Sequence, residues 1–186
     1  MNKLLVSVLG QDQSGILAAV AKVVFARQGN IENISQTLLQ NVFGALLIVD
    51  VPDQETPQEL KTALQSGCEK FNLFIHVDKY QGKLEPQTKP EMQPYIVTAI
   101  GPDRQGLVAE VASQLAKHSV NITNLQAIFK GGDKPLNNLM IFEVDVPKSC
   151  VMDDLRNDLQ AVSDKLSLEI NIQHRKIFEA VSHIDF

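Results

Sequence analysis

Hydrophobic and polar residues recur along this chain with two periods, one typical of strands and one typical of helices. Residues 3–10 and 94–101 are short apolar runs that end in glycine, and they predict buried strands. Ile16, Val20 and Val24 are spaced four residues apart, which predicts a helix with one apolar face. The chain therefore begins each half with a strand followed by a helix.

The order strand, helix, strand, strand, helix, strand is predicted for both halves. The runs 44–52 and 138–147 predict third strands, each stopped by a proline that cannot continue a hydrogen-bonded ladder. We therefore expect an α+β fold with two tandem ferredoxin-like βαββαβ units, each an antiparallel four-stranded sheet with two helices on one face. The second helices and the last strand are predicted from these apolar residues: Leu60, Leu64 and Phe71; Leu155, Leu159, Val162 and Leu166; and the alternating Leu166, Leu168, Ile170 and Ile172.

The two halves are copies of one unit. At the offset from Gly10 to Gly101, Asp12 meets Asp103 and Gly15 meets Gly106. Later in the chain "VDVP" recurs at a slightly larger offset, and the extra residues fall near 130–138, which predicts a longer hairpin loop in the second copy. An internal repeat of this kind predicts two similar domains.

The repeat sets the expected domain boundaries. Residues 1–80 form the first domain and residues 95–174 the second. Between them, residues 81–94 hold three prolines without apolar periodicity, which is typical of a solvated linker. The tail 175–186 is predicted to be helical, because Ile177 and Val181 lie at helical spacing.

Composition narrows the class of protein. The chain has 186 residues, of which 44% are hydrophobic and 21% charged, and its net charge is −5. This acidic balance and the lack of a basic patch argue against nucleic-acid binding. Cys68 and Cys150 have no metal-ligand spacing and are interpreted as thiols of a reducing cytosol. The first apolar run is too short to span a bilayer and lacks a cleavage site, so we expect a cytoplasmic protein without membrane contact.

The loop between the first strand and the first helix carries the candidate chemistry. Asp12 and Asp103 are expected to cap their helices, and Gly15 and Gly106 let another group approach the backbone. The helix N-terminus supplies free N–H groups for a carboxylate, and an asparagine amide after the helix donates and accepts. An amino acid fits this set of groups. The alternative is that these residues serve only as cap, turn and helix terminator.

The pattern Asp-x-x-Gly-Ile/Leu followed, after one helix, by Asn-Ile resembles the opening half of an ACT domain. Two such units in tandem resemble the glycine cleavage system transcriptional repressor family. The resemblance implies βαββαβ regulatory modules that bind amino acids at interfaces between units. It implies these ligand-binding residues: Asp12, Gln13, Ser14, Gly15, Ile16, Asn30 and Ile31 in the first unit, and Asp103, Arg104, Gln105, Gly106, Leu107, Asn121 and Ile122 in the second.

This chain departs from the family pattern in two places. The loops read "DQSG" and "DRQG", so neither has the proline that is common there. A glycine commonly lies two residues before the asparagine, but Gln28 and Ser119 occupy those positions here. We expect Gly29 to take over the turn in the first unit. Arg104 has no basic counterpart in the first unit, so the two sites need not be equivalent.

Three classes of function follow. The first is a regulatory sensor that binds a small amino acid, with glycine or serine favoured, and controls a protein partner such as a transcriptional activator, itself forming a homo-oligomer, expected to be a dimer. The second is a scaffold or interaction module without a ligand, which pairs through its exposed strand edges. The third, an enzyme, is not favoured, because the sequence has no nucleophile elbow, phosphate-binding loop or metal-ligand cluster. We therefore expect neither catalysis nor a cofactor or metal.

Overall fold

The computed structural model describes residues 2–82, 91–129 and 138–177. Contacts divide the chain into two compact units, Met1–Glu85 and Pro86–Phe186. The strands of the first unit are β1 (Asn2–Gln11), β2 (Asn30–Leu39), β3 (Val42–Val51) and β4 (Phe74–Lys79), and its helices are α1 (Ile16–Ala26) and α2 (Pro57–Gly67). In the second unit the strands are β5 (Met92–Gly101), β6 (Asn121–Phe129), β7 (Asn138–Pro147) and β8 (Glu169–His174), and the helices are α3 (Leu107–Lys117) and α4 (Met152–Leu166).

Each unit has one antiparallel four-stranded sheet. The strand orders are β2-β3-β1-β4 and β6-β7-β5-β8, so the first strand of each unit lies in the middle of its sheet. In the first unit Gln11 pairs with Val42 and Asn2 with Val51, which aligns β1 and β3 along their whole length. In the second unit Gly101 pairs with Asn138 in the same way. The predicted ferredoxin-like βαββαβ fold is confirmed for both units.

Each core lies between the sheet and its two helices. In the first unit Leu4, Val6 and Val8 alternate along β1 and are fully buried. Ile16, Val20 and Val24 of α1 face them, as their spacing predicts. The second unit repeats this core, with Leu107, Val111 and Leu115 on α3 and Leu155, Leu159 and Val162 on α4. Burial of these apolar side chains is the main source of each unit's stability.

Several predicted boundaries differ from the structure. Phe71 is buried but belongs to a short 3-10 turn, Glu69–Phe71, because α2 already ends at Gly67. Leu166 is the last residue of α4 and not part of the final strand. β5 starts at Met92, so its first three residues lie within the range 81–94 that we assigned to the linker. Residues 175–177 are helical, whereas the rest of the tail and the loop 130–137 lie outside the described residues.

The first helix of each unit ends with the same turn. Gln28 and Ser119 both have φ of 57°, in the left-handed region. The Gln28 amide donates to the Phe25 carbonyl and the Gly29 amide to the Val24 carbonyl, which is the Schellman arrangement. The expectation that Gly29 takes over the turn is wrong, because the positive φ is at Gln28. A Cβ on Gly29 would lie 3.2 Å from the Asp50 carbonyl oxygen, whereas Val120 holds the corresponding position in the second unit.

Candidate functional site

The repeated loop has the same conformation in both units. In the first unit it leads from Gln11 to Ile16, and Gly15 takes the N-cap position of α1 with φ 96°. In the second unit Gly106 takes the N-cap position of α3 with φ 87°. A left-handed N-cap favours glycine, because a Cβ is strained in this conformation. The motif that repeats in the sequence therefore repeats in the backbone.

The prediction that Asp12 and Asp103 cap these helices is wrong. Among the described residues no side chain caps the first turn of α1 or α3, and a glycine fills each N-cap position. Asp12 lies three residues earlier, where its backbone amide donates to the Asn41 carbonyl at 2.8 Å. Both aspartate side chains are exposed. Their carboxylates are therefore available to a ligand or partner.

The first turns of α1 and α3 keep their amide groups free of a capping side chain. The contrast is α2, where Thr56 Oγ1 accepts from the Glu59 amide at 3.2 Å and the Glu59 carboxylate accepts from the Thr56 amide at 2.9 Å. The Glu59 carboxylate also accepts from Thr56 Oγ1 at 2.7 Å, and this hydrogen bond, followed by the one from the Thr56 amide, lowers the pKa of Glu59. An uncapped helix N-terminus offers N–H donors and a partial positive charge. Such an end suits a carboxylate or another anion.

The predicted asparagines do not lie near the loops within one unit. Asn30 pairs with Asp50, and Asp50 pairs with Lys3 near the start of β1. The loop follows Gln11 at the other end of the same strand, so about 27 Å of strand separate the two groups at 3.3–3.4 Å per residue. Asn121 pairs with Asp145 and has the same position in the second unit. One amino-acid ligand cannot contact both groups of a single unit.

The remaining predicted residues divide into core and surface. Ile16 and Leu107 begin their helices and are almost completely buried, so they support the loop from below. Ile31 and Ile122 are partly buried and pack against the cores of their units. The exposed members are the loop side chains Asp12, Gln13 and Ser14 in the first unit and Asp103, Arg104 and Gln105 in the second. These six residues are the predicted side chains that a ligand can reach beside the N-termini of α1 and α3.

The sheet face opposite the helices of the first unit is apolar and was not predicted as a site. Leu9, Leu46 and Phe74 are 47%, 53% and 66% exposed there. A shallow depression of about 360 Å³ lies on the sheet, lined mainly by Ser7, Leu9, Ser35, Thr37, Gly44 and Leu46. The sequence signals this surface because β1 carries leucines on both of its faces, whereas a half-buried strand carries apolar residues on one face only.

Two histidines of the described part of the chain lie on different elements, His76 on β4 and His118 directly after α3. His76 projects from the open sheet face, because its neighbours Ile75 and Val77 are buried on the other face. His118 Nε2 lies 2.7 Å from Asp158 Oδ2, and Lys117 Nζ lies 2.6 Å from the same oxygen. The hydrogen bonds from Lys117 and then His118 lower the pKa of Asp158. No cluster of three or more metal-ligating side chains occurs among residues 2–82, 91–129 and 138–177.

No helix among the described residues is both long and apolar enough to cross a membrane. Cys68 is buried and Cys150 partly buried, and desolvation raises the pKa of both thiols. Neither cysteine forms a disulfide.

Relatives of known sequence match single units of this chain. A UPF0237 protein of Methanocaldococcus jannaschii is 35% identical over 78 residues, which are 41% of this chain and 87% of that protein. A UPF0237 protein of Neisseria meningitidis is 40% identical over 78 residues, with the same shares. These relatives are about half as long as this chain, as expected if each corresponds to one unit.

Two solved structures match this chain over both units. The crystal structure of an unknown protein from Galdieria sulphuraria superposes with a TM-score of 0.74 and 20% identity, covering 93% of this chain and 98% of that one. The crystal structure of a candidate glycine cleavage system transcriptional repressor superposes with a TM-score of 0.62 and 15% identity, covering 92% and 96%. At these identities the likeness shows the fold alone.

The ACT-domain family model matches residues 2–78 and again residues 93–173. Each match coincides with one βαββαβ unit and includes one copy of the glycine-capped loop. The resemblance seen in the sequence is confirmed, and this chain belongs to the ACT-domain family, with two ACT domains in tandem.

Proposed function

We propose that this chain is a cytoplasmic regulatory protein that binds a small amino acid, with glycine or serine favoured, and controls a protein partner by direct contact. The observation that carries the proposal is the repeated loop, in which a left-handed glycine leaves the amides of the following helix uncapped. An α-carboxylate is an anion of the size that such a helix end accepts. ACT domains are regulatory modules, which supports sensing over catalysis.

The partner is proposed to be a transcriptional regulator of glycine or one-carbon metabolism. The support is the likeness in fold to a candidate glycine cleavage system transcriptional repressor. The net charge of −5 argues against direct binding to DNA, so the effect on transcription passes through another protein. Regulation requires that the effector binds the free and the partner-bound forms of this chain with different affinity.

The test is a calorimetric titration of the purified full-length chain with each of the twenty amino acids. The proposal predicts saturable heat with at least one small amino acid, and weaker binding in Asp12→Ala or Asp103→Ala. The matched control is Asp154→Ala, because Asp154 is also an exposed aspartate but lies in the first turn of α4, away from both loops in the sequence. Equal loss of binding in the control would indicate a general charge effect and contradict the assignment to the loops.

A ligand-free interaction module is the second candidate, and the open face of the first unit favours it. The exposed Leu9, Leu46 and Phe74 form an apolar surface typical of protein contacts. In this case the folded chain, free of carried-over ligand, gives no heat with any amino acid, and its loops serve as turns. Substitution of Leu46 by lysine would then weaken association with a partner or a second copy, measured by sedimentation.

A further inference from the structure

Asn138 is a buried amide without a hydrogen-bond partner. It is the first residue of β7 and pairs with Gly101, the last residue of β5. Its side chain is 0% exposed, and neither Oδ1 nor Nδ2 has a partner within the described part of the chain. Buried amides in folded proteins are almost always hydrogen-bonded, so an exception on this scale calls for an explanation.

Asn138 faces the helix-covered side of its sheet, beside the strand end that leads into the loop before α3. Along β7 the buried Met140, Phe142 and Val144 share the face of Asn138, and they form the core beneath the helices. Gly101, directly beside Asn138, leads into the loop 102–106 and then into Leu107, the first residue of α3. The amide is therefore on the helix-covered side of the sheet, at the end where the uncapped α3 begins.

The first unit has no such amide. The residue that pairs with Gly10 is Phe43, which corresponds to Asn138 and is buried in the apolar core. Phe71 also backs the first loop, since its Cζ lies 3.7 Å from the position that a Cβ on Gly15 would take. A Cβ on Gly106 would have no atom within 4 Å. The two loops share a backbone conformation but have different surroundings.

The two unpaired atoms of Asn138 fit the two charged groups of an α-amino acid. Nδ2 donates to a carboxylate, and Oδ1 accepts from an ammonium group. The uncapped N-terminus of α3 adds further donors for the carboxylate. Phe43 provides neither a donor nor an acceptor at the corresponding position of the first unit. This difference in side-chain chemistry therefore favours the loop of the second unit as the ligand site.

We propose that each chain binds one small amino acid, at the second unit, and that the Asn138 amide contacts its charged groups. This inference rests on the proposed function and assigns its site. Asn138 is closed to solvent, so the ligand enters by displacing the exposed loop residues 103–105, while Gly106 stays at the N-terminus of α3. The first loop, backed by Phe43 and Phe71, serves as a turn.

The test combines the stoichiometry of calorimetric titration with one matched pair of variants. We expect one ligand per chain for the unchanged protein. Asn138→Leu keeps the shape of the side chain, and we expect at least about a tenfold loss of affinity, because a hydrogen bond to a charged group is lost. The same variant removes an unpaired buried amide, so its unfolding midpoint should be unchanged or higher. Phe43→Leu, at the corresponding position of the first unit, should keep the affinity.

The outcomes separate this inference from the proposed function. Two ligands per chain, or unchanged affinity in Asn138→Leu, would overturn the inference while amino-acid binding stands. Absence of heat with every amino acid in the unchanged protein would overturn both. If Asn138→Leu does not fold, the side-chain NH₂ resonances of Asn138 in the unchanged protein decide: saturable shifts support the contact, and unmoved resonances overturn it.

Discussion

Replacing Gln28 with glycine should stabilise the first unit. Gln28 ends α1 in the left-handed conformation, with φ of 57°, and its side chain is exposed. The backbone hydrogen bonds of the turn, from Gln28 to Phe25 and from Gly29 to Val24, do not involve that side chain. The substitution therefore removes conformational strain without removing a contact that holds the turn.

The expected gain follows from two opposing terms. The left-handed conformation costs a residue with a Cβ about 1–2 kcal/mol. Glycine loses about 0.5–1 kcal/mol more backbone entropy on folding than alanine does. The difference between the two terms is a stabilisation of about 0–1.5 kcal/mol, with a mid-range value of about 0.75 kcal/mol. For a unit of this size, the mid-range value raises the unfolding midpoint by about 3–6 °C.

Thermal unfolding of the full chain by calorimetry measures this shift. The matched control is Gln65→Gly, the same change at an exposed position within α2, where the backbone is helical. Here only the entropic term acts, so the midpoint should fall. Ser119→Gly repeats the experiment in the second unit, where the turn has the same φ and the same pattern of hydrogen bonds.

The reasoning is refuted if Gln28→Gly lowers the midpoint as much as Gln65→Gly does. Both glycines would then act through the unfolded chain alone, and the left-handed turn would carry no strain. Opposite signs of the two shifts support the assignment of the turn to Gln28.

Three further predictions concern the cores and the titratable groups. Leu64→Ala should destabilise the first unit by about 2–5 kcal/mol in urea unfolding, because Leu64 is completely buried and its truncation leaves a cavity; a loss below about 1 kcal/mol contradicts the packing. The Asp158 carboxylate, with its pKa lowered by Lys117 and His118, stabilises the fold above the unfolded pKa of about 3.9, and this contribution is lost as the pH falls through the lowered value. The unfolding midpoint of Asp158→Asn should therefore depend less on pH between about 2 and 6, and an unchanged dependence excludes the ion cluster. Cys68 is 1% exposed and burial raises its thiol pKa, so iodoacetamide should modify it slowly until urea unfolds the chain. Mass spectrometry measures the rate of modification, and fast modification of the folded chain would contradict the burial.

The fold was predictable because the repeat and the apolar spacing agree with each other. Val20 and Val111 fall on the same helix face in both copies, so each half confirms the other. Element ends were harder to predict. Leu166 fits both the helical spacing of α4 and the alternation of β8, and only the left-handed Ser167 separates the two elements.

The candidate site was predictable in its backbone but not in its partners. The loop motif located the two helix N-termini, whereas the cap by Asp12 failed because Gly15 takes the N-cap position. The prediction that Asn30 and the loop form one site failed within a unit, because the two lie at opposite ends of the ten-residue strand β1. Only the pairing of β2 with β3 and of β3 with β1 shows how far Asn30 lies from the loop.

Asn138 shows what comparison of the repeats adds. At the offset of the "VDVP" repeat it aligns with Phe43, so a polar residue replaces an apolar one at a strand start. That replacement was visible in the sequence. Its burial and its lack of a partner were visible only in the fold.

The most direct test of the central claim is an NMR titration of the ¹⁵N-labelled full-length chain with glycine and with serine. The claim predicts that the backbone amides of Gly106, Leu107 and Val108 shift saturably with at least one of the two, because they form the N-terminus at which the carboxylate binds. Amides of these residues that stay unmoved at saturating concentrations of both amino acids would contradict it.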